Sequence, residues 1–280
     1  MTRSEEMGGP SPAADWLHDL PLAPGPPDLR MGTRALDVTR WLPTDDQTAA
    51  EIELRREILA THGADVVRVI PGHETAITEL TSLVEIHLRR RFHESDVPAM
   101  EQLALVTAED MLLMWRDDSH WRLVGGTLLF PNQWSLNDKL GKTVASVHAP
   151  VDGYDELLEA RVDQFFDRLS AARPVWRRNW FVHDDPTFFQ PERMDKREVN
   201  DPLQVDQLYV RSEWQTLRRL AFSGLVVFTV KTQVASMSEL RARPGVAEQM
   251  CVFLENASER SLVNKDVDGR SDAIIDYLRD

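Results

Sequence analysis

The chain has 280 residues, 42% of them hydrophobic, and its 32 basic and 46 acidic residues give a net charge of −14. A chain of this length can bury one substantial hydrophobic core, and its negative charge repels nucleic acids and anionic membrane surfaces, which argues against both as partners. The single cysteine, Cys251, excludes an internal disulfide and a thiolate cluster for zinc or iron–sulfur.

Residues 1–30 carry clusters of proline and glycine, GGPSP and PLAPGPP, with few large apolar residues. Such a composition does not offset the entropy cost of ordering, so we predict a disordered tail over 1–30 and a single domain over 31–280. Trp16 and Leu17 could still dock onto that domain. Neither a secretory signal nor an apolar run of the roughly 18 residues that span a bilayer is visible, so we expect a cytoplasmic protein.

Helical and β-type patterns follow one another along the first two thirds of the domain. Residues 48–60 and the stretch HETAITELTSLVEIHLRRRF have apolar residues at helical spacing. The segments MLLMW (111–115) and WRLVGGTLLFP (121–131) are short, apolar and β-prone, and the polar RDDSH between them predicts a hairpin. A helix is predicted over residues 155–169.

Three further strands are predicted at 175–182, 208–220 and 225–234, the last two as a hairpin. In the final strand, valine and phenylalanine alternate with threonine, lysine and glutamine, which is typical of an antiparallel sheet covered on one face only. The C-terminal segments are helical. Because the strands come in hairpins and not in βαβ units, we predict an α+β fold.

The letters LGKT (140–143) suggest a phosphate-binding loop, but that motif needs a glycine five positions before Gly141, where Leu136 stands. The stretch WSLNDKLG instead predicts a short helix ended by Gly141. Lys139 and Lys142 then lie near the helix end. They either interact with the helix dipole or supply a cation for an acidic group of a cofactor.

Two histidines raise the question of a metal ligand. His183 begins HDD, the H-x-D pair of non-haem iron oxygenases, but no later histidine completes that triad, so we interpret it as a loop residue near a strand end. His148 precedes an Ala-Pro pair that stiffens the backbone. It is either a metal ligand or a buried, hydrogen-bonded histidine. His87 and His93 are assigned to a solvated helix face.

The strand LYVRSEWQTLRRL has an unusual density of polar groups on one face: Tyr209, Arg211, Glu213 and Gln215. This face is either the solvent side of an edge strand or the wall of a cavity. In a cavity, Arg211 would meet an anion, and Glu213 would meet a cation or relay protons. Arg177 and Asn179 alternate in the same way and could line the same cavity. Cys251 could be a haem thiolate but is better explained as a buried, inert thiol.

Several segments together resemble the haem-dependent oxidative N-demethylase family, in its haem-binding alpha subunit. The resemblance runs from about Met31 to the last helix, and its specific part is WRLVGGTLLFPNQWSLNDKLGKTVASVHAPVDGY. It is supported by MGTRALD, TAEDMLLM, VDQFFDRL, RPVWRRNW with HDDP, RSEWQTLRRL and SGLVVFTVKT. The resemblance implies a PAS-like fold, in which a curved antiparallel β-sheet with flanking helices encloses a haem b.

The resemblance also implies a function. The protein would be a haem-dependent monooxygenase that uses O₂ to oxidise an N-methyl group of a small amine or other nitrogen-bearing metabolite, releasing formaldehyde if it demethylates. The chain has no G-x-G-x-x-G motif and no cysteine cluster, so electrons would come from a separate reductase protein that carries flavin, iron–sulfur or both. The alternative is a non-catalytic PAS-like module that senses gas or redox state through haem or a small ligand.

Carried to this chain, the resemblance makes His148 the candidate iron ligand. Lys139, Arg177 and Arg211 become candidates for binding the haem propionates, because a buried carboxylate without a cation costs several kcal/mol. Glu213 becomes the candidate for holding a substrate ammonium or passing protons. Trp214, a large residue beside this polar strand face, could change the shape of the pocket.

Overall fold

The structure is a computed structural model that describes residues 12–23, 32–92, 97–148, 156–193, 199 and 201–280. A seven-stranded sheet in the order β1-β5-β6-β7-β3-β4-β2 lies at its centre, and every neighbouring pair is antiparallel. The strands are β1 (Arg34–Ala35), β2 (Val67–Val69), β3 (Asp110–Arg116), β4 (Trp121–Thr127), β5 (Val175–His183), β6 (Tyr209–Arg219) and β7 (Val226–Ser236). The predicted α+β class with an antiparallel sheet is confirmed.

Helices surround this sheet and close the C-terminal end of the chain. They are α1 (Thr48–His62), α2 (Glu74–Leu88), α3 (Ala99–Ala104), α4 (Leu136–Lys139), α5 (Val144–His148), α6 (Glu156–Arg168), α7 (Pro202–Val205), α8 (Met237–Arg241), α9 (Pro244–Asn256), α10 (Glu259–Asn264) and α11 (Ser271–Arg279). The helices predicted near 48–60, 77–88 and 155–169 are confirmed as α1, α2 and α6. Of the described helices, none is long and apolar enough to cross a bilayer.

Both predicted hairpins are present. Between β3 and β4, the Asp117 carboxylate accepts the backbone N–H groups of Ser119 and His120 and so fixes the turn. A side chain at Gly126 would collide with the Met111 carbonyl oxygen, so glycine is what allows the two strands to approach. The β6–β7 hairpin turns at Gly224, whose φ of +75° favours glycine.

The two faces of the sheet bear separate hydrophobic clusters. On one face, Leu112, Leu217 and Val226 pack with Val144 of α5 and Phe166 of α6. We call this side the α6 face. On the opposite side, strands β5 to β7 pack against the C-terminal helices, and β3, β4 and part of β6 and β7 pack against α2 and α3. We call that side the α9 face.

The sheet is covered on both faces, so the prediction of a half-covered sheet is wrong. Thr229 and Lys231 of β7, which were expected to face solvent, are 0% and 1% exposed on the α9 face. The reason is the position of α1: Glu51 in its first turn and Asp45 just before the helix bring carboxylates to the lysine. The Lys231 ammonium lies 2.7 Å from Asp45 Oδ2 and 3.4 Å from Glu51 Oε2. A strand pattern shows which residues share a face, but not whether that face is covered.

The N-terminal segment is partly ordered on the domain. Residues Pro12–Asp19 form a 3-10 helix, and Trp16 and Leu17 are buried in the cluster of the α9 face together with Leu20 and Leu22. The docking of Trp16 and Leu17 that the sequence left open is therefore present. Residues 1–11 and 24–31 lie outside the described residues, and the division into a tail and one domain stays a prediction.

A second buried carboxylate, Glu109, lies near Lys231. Burial raises the pKa of Glu109 to about 7, and the nearby positive charges of Lys231 and Arg55 only partly oppose this effect. Its Oε1 atom has no hydrogen-bond partner among the described residues. Near neutral pH, Glu109 therefore binds a proton that it would lose in the unfolded chain.

We expect Glu109→Gln to remove part of the pH dependence of stability. The folded pKa is raised from 4.5 to about 7, so the contribution of this group to the free energy of unfolding is fully present below pH 4.5 and falls as pH rises towards 7. The loss amounts to about 3 kcal/mol. Urea unfolding between pH 4.5 and 8 should show the free energy of unfolding of the variant rising by that amount relative to the free energy of unfolding of the wild type. Glu57→Gln, at an exposed position of α1, should track the wild type at every pH, and parallel curves for Glu109→Gln would contradict the assignment.

Candidate functional site

Several side chains in the middle of the α6 face are only half-buried, although Gln215 and Thr232 beside them are buried. Here Phe181, Val230 and Val234 are half-buried, whereas on the α9 face Trp180 and Ala235 are fully buried. We call this region the strip; its members are Arg177, Asn179 and Phe181 of β5, Glu213 and Gln215 of β6, and Val230, Thr232 and Val234 of β7. Strand β6 lies between β5 and β7, so the edge-strand interpretation of its polar face is wrong.

Glu213 is the only carboxylate of the strip, and two amides orient it. It stands directly across from Asn179 of β5. The Gln215 side chain donates to Glu213 Oε2 at 2.6 Å, and Asn132 Nδ2 donates to Oε1 at 3.4 Å. The carboxylate is half-buried and is held by neutral donors, and its two oxygens can accept further hydrogen bonds.

Lys265, which no sequence pattern pointed to, reaches the strip from the turn after α10. Its Nζ donates to Asn179 Oδ1 at 2.6 Å and lies 5.2 Å and 5.5 Å from the ring centroids of Trp180 and Phe181. Its carbonyl oxygen accepts the Val182 backbone N–H at 3.0 Å, which fixes the turn to β5. A lone lysine in SLVNKDVDG carries no periodic signal, so only the tertiary structure brings it here.

The charges of the strip act on one another. Burial lowers the pKa of Lys265 to about 7, the positive charge of Arg177 lowers it further, and Glu213 opposes both effects. Burial also lowers the pKa of Arg177, again opposed by Glu213. Arg177, Lys265 and Glu213 therefore lie close enough for the carboxylate to raise the pKa values of both cations. The cavity interpretation of these strands stays a prediction.

Arg211 projects from the same face of β6 but has a different environment. It is 1% exposed, and its guanidinium donates to the carbonyl oxygens of Phe130, Pro131, Thr187 and Phe188 at 2.9 to 3.1 Å. Burial lowers its pKa to about 10, so it stays charged at neutral pH. The side chain is thus committed to backbone carbonyls of two loops, and no anion is needed to explain its burial.

Lys139 and His148 lie beside this face in the segment that follows β4. The predicted short helix is confirmed as α4, which is capped by the Ser135 side chain and followed by Gly141 with a φ of +79°. Lys139 ends α4 and is half-buried, which lowers its pKa. His148 is the last residue of α5, which packs on the α6 face, and its side chain lies outside the described residues.

His183, which was interpreted from the sequence as a loop residue near a strand end, is part of β5 and has features of a metal ligand. It is the last residue of β5, 4% exposed, and its Nδ1 lies 2.9 Å from Gln190 Oε1. The Gln190 amide nitrogen donates to the carbonyls of Asp185 and Thr187, so Oε1 is the acceptor and Nδ1 carries the proton. Burial and then the charge of Arg211 lower the pKa of His183 to about 4. Its Nε2 keeps a lone pair, is buried and has no partner among the described residues.

Other candidates from the sequence lie away from the strip. The Cys251 thiol is buried in α9, and burial raises its pKa, which favours the inert interpretation over a thiolate ligand. Trp214 points to the α9 face and stacks on Trp176 with ring centroids 4.1 Å apart, so it does not border the strip. His87 is not solvated as expected, because its Nε2 accepts the Leu42 backbone N–H at 3.3 Å. His93 lies outside the described residues.

Two further features limit where a ligand could bind. In the part of the chain that the structure describes, no three His, Cys, Asp or Glu side chains gather as they would around a bare metal ion. A cavity of about 420 Å³ opens between the N-terminal segment and α9, lined among others by Leu20, Leu22 and Val252. None of the candidate site residues lines that cavity.

We expect Arg211→Met to destabilise the protein by at least about 3 kcal/mol, because it leaves several buried carbonyl oxygens without donors. Chemical denaturation of the protein without added cofactor measures this loss. Arg173→Met, at an exposed position before β5, is the control and should change little. A variant of Arg211 that keeps its stability but loses affinity for an anionic ligand would instead restore the role of this residue as an anchor for a cofactor carboxylate.

Comparison with known families identifies the family of the chain. Residues 93–275 match the model of the family described as haem-dependent oxidative N-demethylase, alpha subunit-like. The match covers more than half of the chain and includes Lys139, His148, the strip and Lys265. The chain therefore belongs to the haem-dependent oxidative N-demethylase alpha subunit-like family.

Proposed function

We propose that this protein is a haem b-dependent monooxygenase that oxidises a small amine or related nitrogen-bearing metabolite with O₂, releasing formaldehyde when the reaction is an N-demethylation. Family membership supports haem and oxidative chemistry. The observation that carries the proposal is the strip, in which one oriented carboxylate, Glu213, stands among cations and half-buried apolar side chains. We further propose that the sheet is a PAS-like, curved sheet and encloses the haem on this face.

The residues of the α6 face fit a haem in their chemistry. Phe181, Val230 and Val234 offer apolar contacts for a macrocycle, and Arg177 offers a cation for a propionate. Haem iron needs only one or two axial ligands from the protein, so the absence of a larger donor cluster among the described residues is no obstacle. When bound, the haem would supply O₂ activation and the oxidation of the N-methyl carbon.

Glu213 would bind the substrate. A protonated amine carries N–H donors and a positive charge, and a carboxylate selects it over a neutral molecule of the same size. Asn132 and Gln215 hold the carboxylate in place, so substrate binding costs little further side-chain entropy. As the amine loses its proton before oxidation, Glu213 is positioned to accept it.

Two histidines compete for the iron. We propose that His148 would hold the haem iron, since the family resemblance centres on its segment and α5 packs on the α6 face. His183 is the second candidate, because its Nδ1 is fixed by Gln190 and its Nε2 keeps an unpartnered lone pair among the described residues.

Lys139 stays a proposed propionate contact, whereas we assign Arg211 to holding the two loops.

Electrons would come from a separate reductase that carries flavin, iron–sulfur or both, acting in the cytoplasm. The sequence has one cysteine and no dinucleotide-binding motif, which supports a partner protein as the source.

Haem titration separates the two histidines. The wild type should develop a Soret band when haemin is added to the purified protein, and His148→Ala should shift that band and weaken binding by at least about tenfold. His183→Ala should leave the band unchanged. The opposite pattern would move the iron ligand to His183, and a wild type without any Soret band would end the proposal of a haem enzyme.

Glu213→Gln tests substrate binding. It keeps the size of the side chain and one of its two acceptor oxygens but removes its charge, so reductant-dependent O₂ consumption stimulated by dimethylamine should fall by at least about tenfold while haem affinity stays the same. Glu57→Gln on the surface of α1 is the matched control. Tight CO binding by the wild type, with no amine-stimulated turnover when a reductase is supplied, would favour the sensor alternative.

A further inference from the structure

Gln190 is a buried amide whose side-chain nitrogen and oxygen both have partners. It is 4% exposed, and its Oε1 lies 2.9 Å from His183 Nδ1. Its Nε2 donates to the carbonyl oxygens of Asp185 and Thr187 at 3.0 Å and 2.9 Å. Such an amide has one favoured orientation, because flipping it would place donor against donor and acceptor against acceptor. The lone pair of the His183 ring is therefore kept on Nε2.

The backbone of Gln190 makes a second connection, to the segment after β4. Its carbonyl oxygen accepts the Gln133 backbone N–H at 2.7 Å, and it pairs with Asn132 in a parallel β-bridge. Gln133 has a φ of +60°, a left-handed conformation that is unfavourable for a residue with a side chain. Such a conformation persists only where neighbouring contacts fix it, and the hydrogen bond to Gln190 is one of those contacts.

The segment that this bridge holds carries a side chain that orients Glu213. Asn132 Nδ2 donates to Glu213 Oε1 at 3.4 Å, which is near the longest distance for a hydrogen bond. A small shift of the segment away from β6 would break that contact. Arg211 also holds this segment, through the carbonyls of Phe130 and Pro131, whereas the bridge acts at Asn132 itself.

We infer that Gln190 is a positioning residue that acts on both candidate functional groups of this face: its side chain keeps the lone pair of His183 on Nε2, and its backbone keeps Asn132 within reach of Glu213. The inference rests on the proposed function, in which Glu213 binds the amine. Gln190 has no hydrogen bond to Glu213 in the described part of the chain, so a change at Gln190 reaches the amine site through Asn132.

Two variants separate the roles of the Gln190 side chain. Gln190→Leu removes its hydrogen bonds, whereas Gln190→Glu keeps an acceptor oxygen for His183 and removes both N–H donors. Gln204→Leu, at an exposed position of α7, is the control. Nitrogen NMR of the histidine side chains at about pH 8, with the His183 signals assigned from His183→Ala, should show the proton on Nδ1 in the wild type, in Gln190→Glu and in the control. In Gln190→Leu this preference should be lost, because neither ring nitrogen then has a partner among the described residues.

Amide exchange measures the connection to the segment after β4 without any ligand. In both Gln190 variants the Gln133 amide proton should exchange at least about tenfold faster than in the wild type, because the N–H donors that hold Gln190 in the loop are lost. The Leu220 amide, which donates to the Leu225 carbonyl at 2.8 Å in the β6–β7 hairpin, should be unchanged. An equal increase at both amides would show a general loss of stability and would overturn the positioning role.

Calorimetric titration of the haemin-loaded proteins with dimethylammonium chloride measures the effect on Glu213. Gln190→Leu and Asn132→Ala should each weaken binding at least about threefold. The double variant should lose no more than the weaker-binding single variant, because both changes act through the same contact. Losses that multiply in the double variant would overturn the inference, and so would an unchanged amine affinity, His183 tautomer or Gln133 exchange rate in Gln190→Leu.

A wild type that binds no haemin or no dimethylammonium would reject the proposed function only. The tautomer and exchange measurements then decide on Gln190 by themselves, because neither needs a ligand: changes in both support the positioning role, and an unchanged result in either overturns it. If Gln190→Leu does not fold, Gln190→Glu decides. Faster exchange at Gln133 and not at Leu220 then supports the role, and an unchanged rate at Gln133 overturns it.

Discussion

The frame of the candidate site, which consists of the segment after β4 and the loop after β5, depends on the hydrogen bonds of the buried Arg211 guanidinium. Its four carbonyl acceptors belong to the segment after β4 and to the loop after β5, so one side chain fastens both to the sheet. The same segment after β4 is held from its other side by Asp110, which accepts the backbone N–H groups of Leu129 and Phe130 and pairs with Arg55. Without these cations, several buried carbonyl oxygens and one carboxylate would lack partners.

This frame gives the two sheet faces different chemistry. The α9 face is filled by helices and even encloses Lys231, whose charge is matched by Asp45 and Glu51. The strip on the α6 face bears the cations Arg177 and Lys265 beside the carboxylate of Glu213, which favours their charged forms against the effect of burial. A carboxylate among apolar side chains is suited to a protonated amine.

The histidines illustrate how a ligand-like environment arises. His183 is neutral because burial and the neighbouring Arg211 disfavour its charged form, and Gln190 fixes which nitrogen carries the proton. Gln190 belongs to the loop after β5 that Arg211 holds through the carbonyls of Thr187 and Phe188. The tautomer of His183 therefore depends on the same hydrogen bonds of Arg211. His148, in contrast, is singled out by its sequence context and by its place at the end of α5.

The sequence by itself determined the strands, the main helices, the antiparallel hairpins and the family, because side-chain periodicity and turn residues act over short distances along the chain. It also placed Arg177, Asn179 and Glu213 on one face. Only the tertiary structure decided that Thr229 and Lys231 are buried, that Arg211 is committed to loop carbonyls, and that Lys265 joins the strip from a turn more than 50 residues after β6 begins. These outcomes depend on which distant segments cover a face and which acceptors they bring to a charged side chain, and local periodicity carries no information on either.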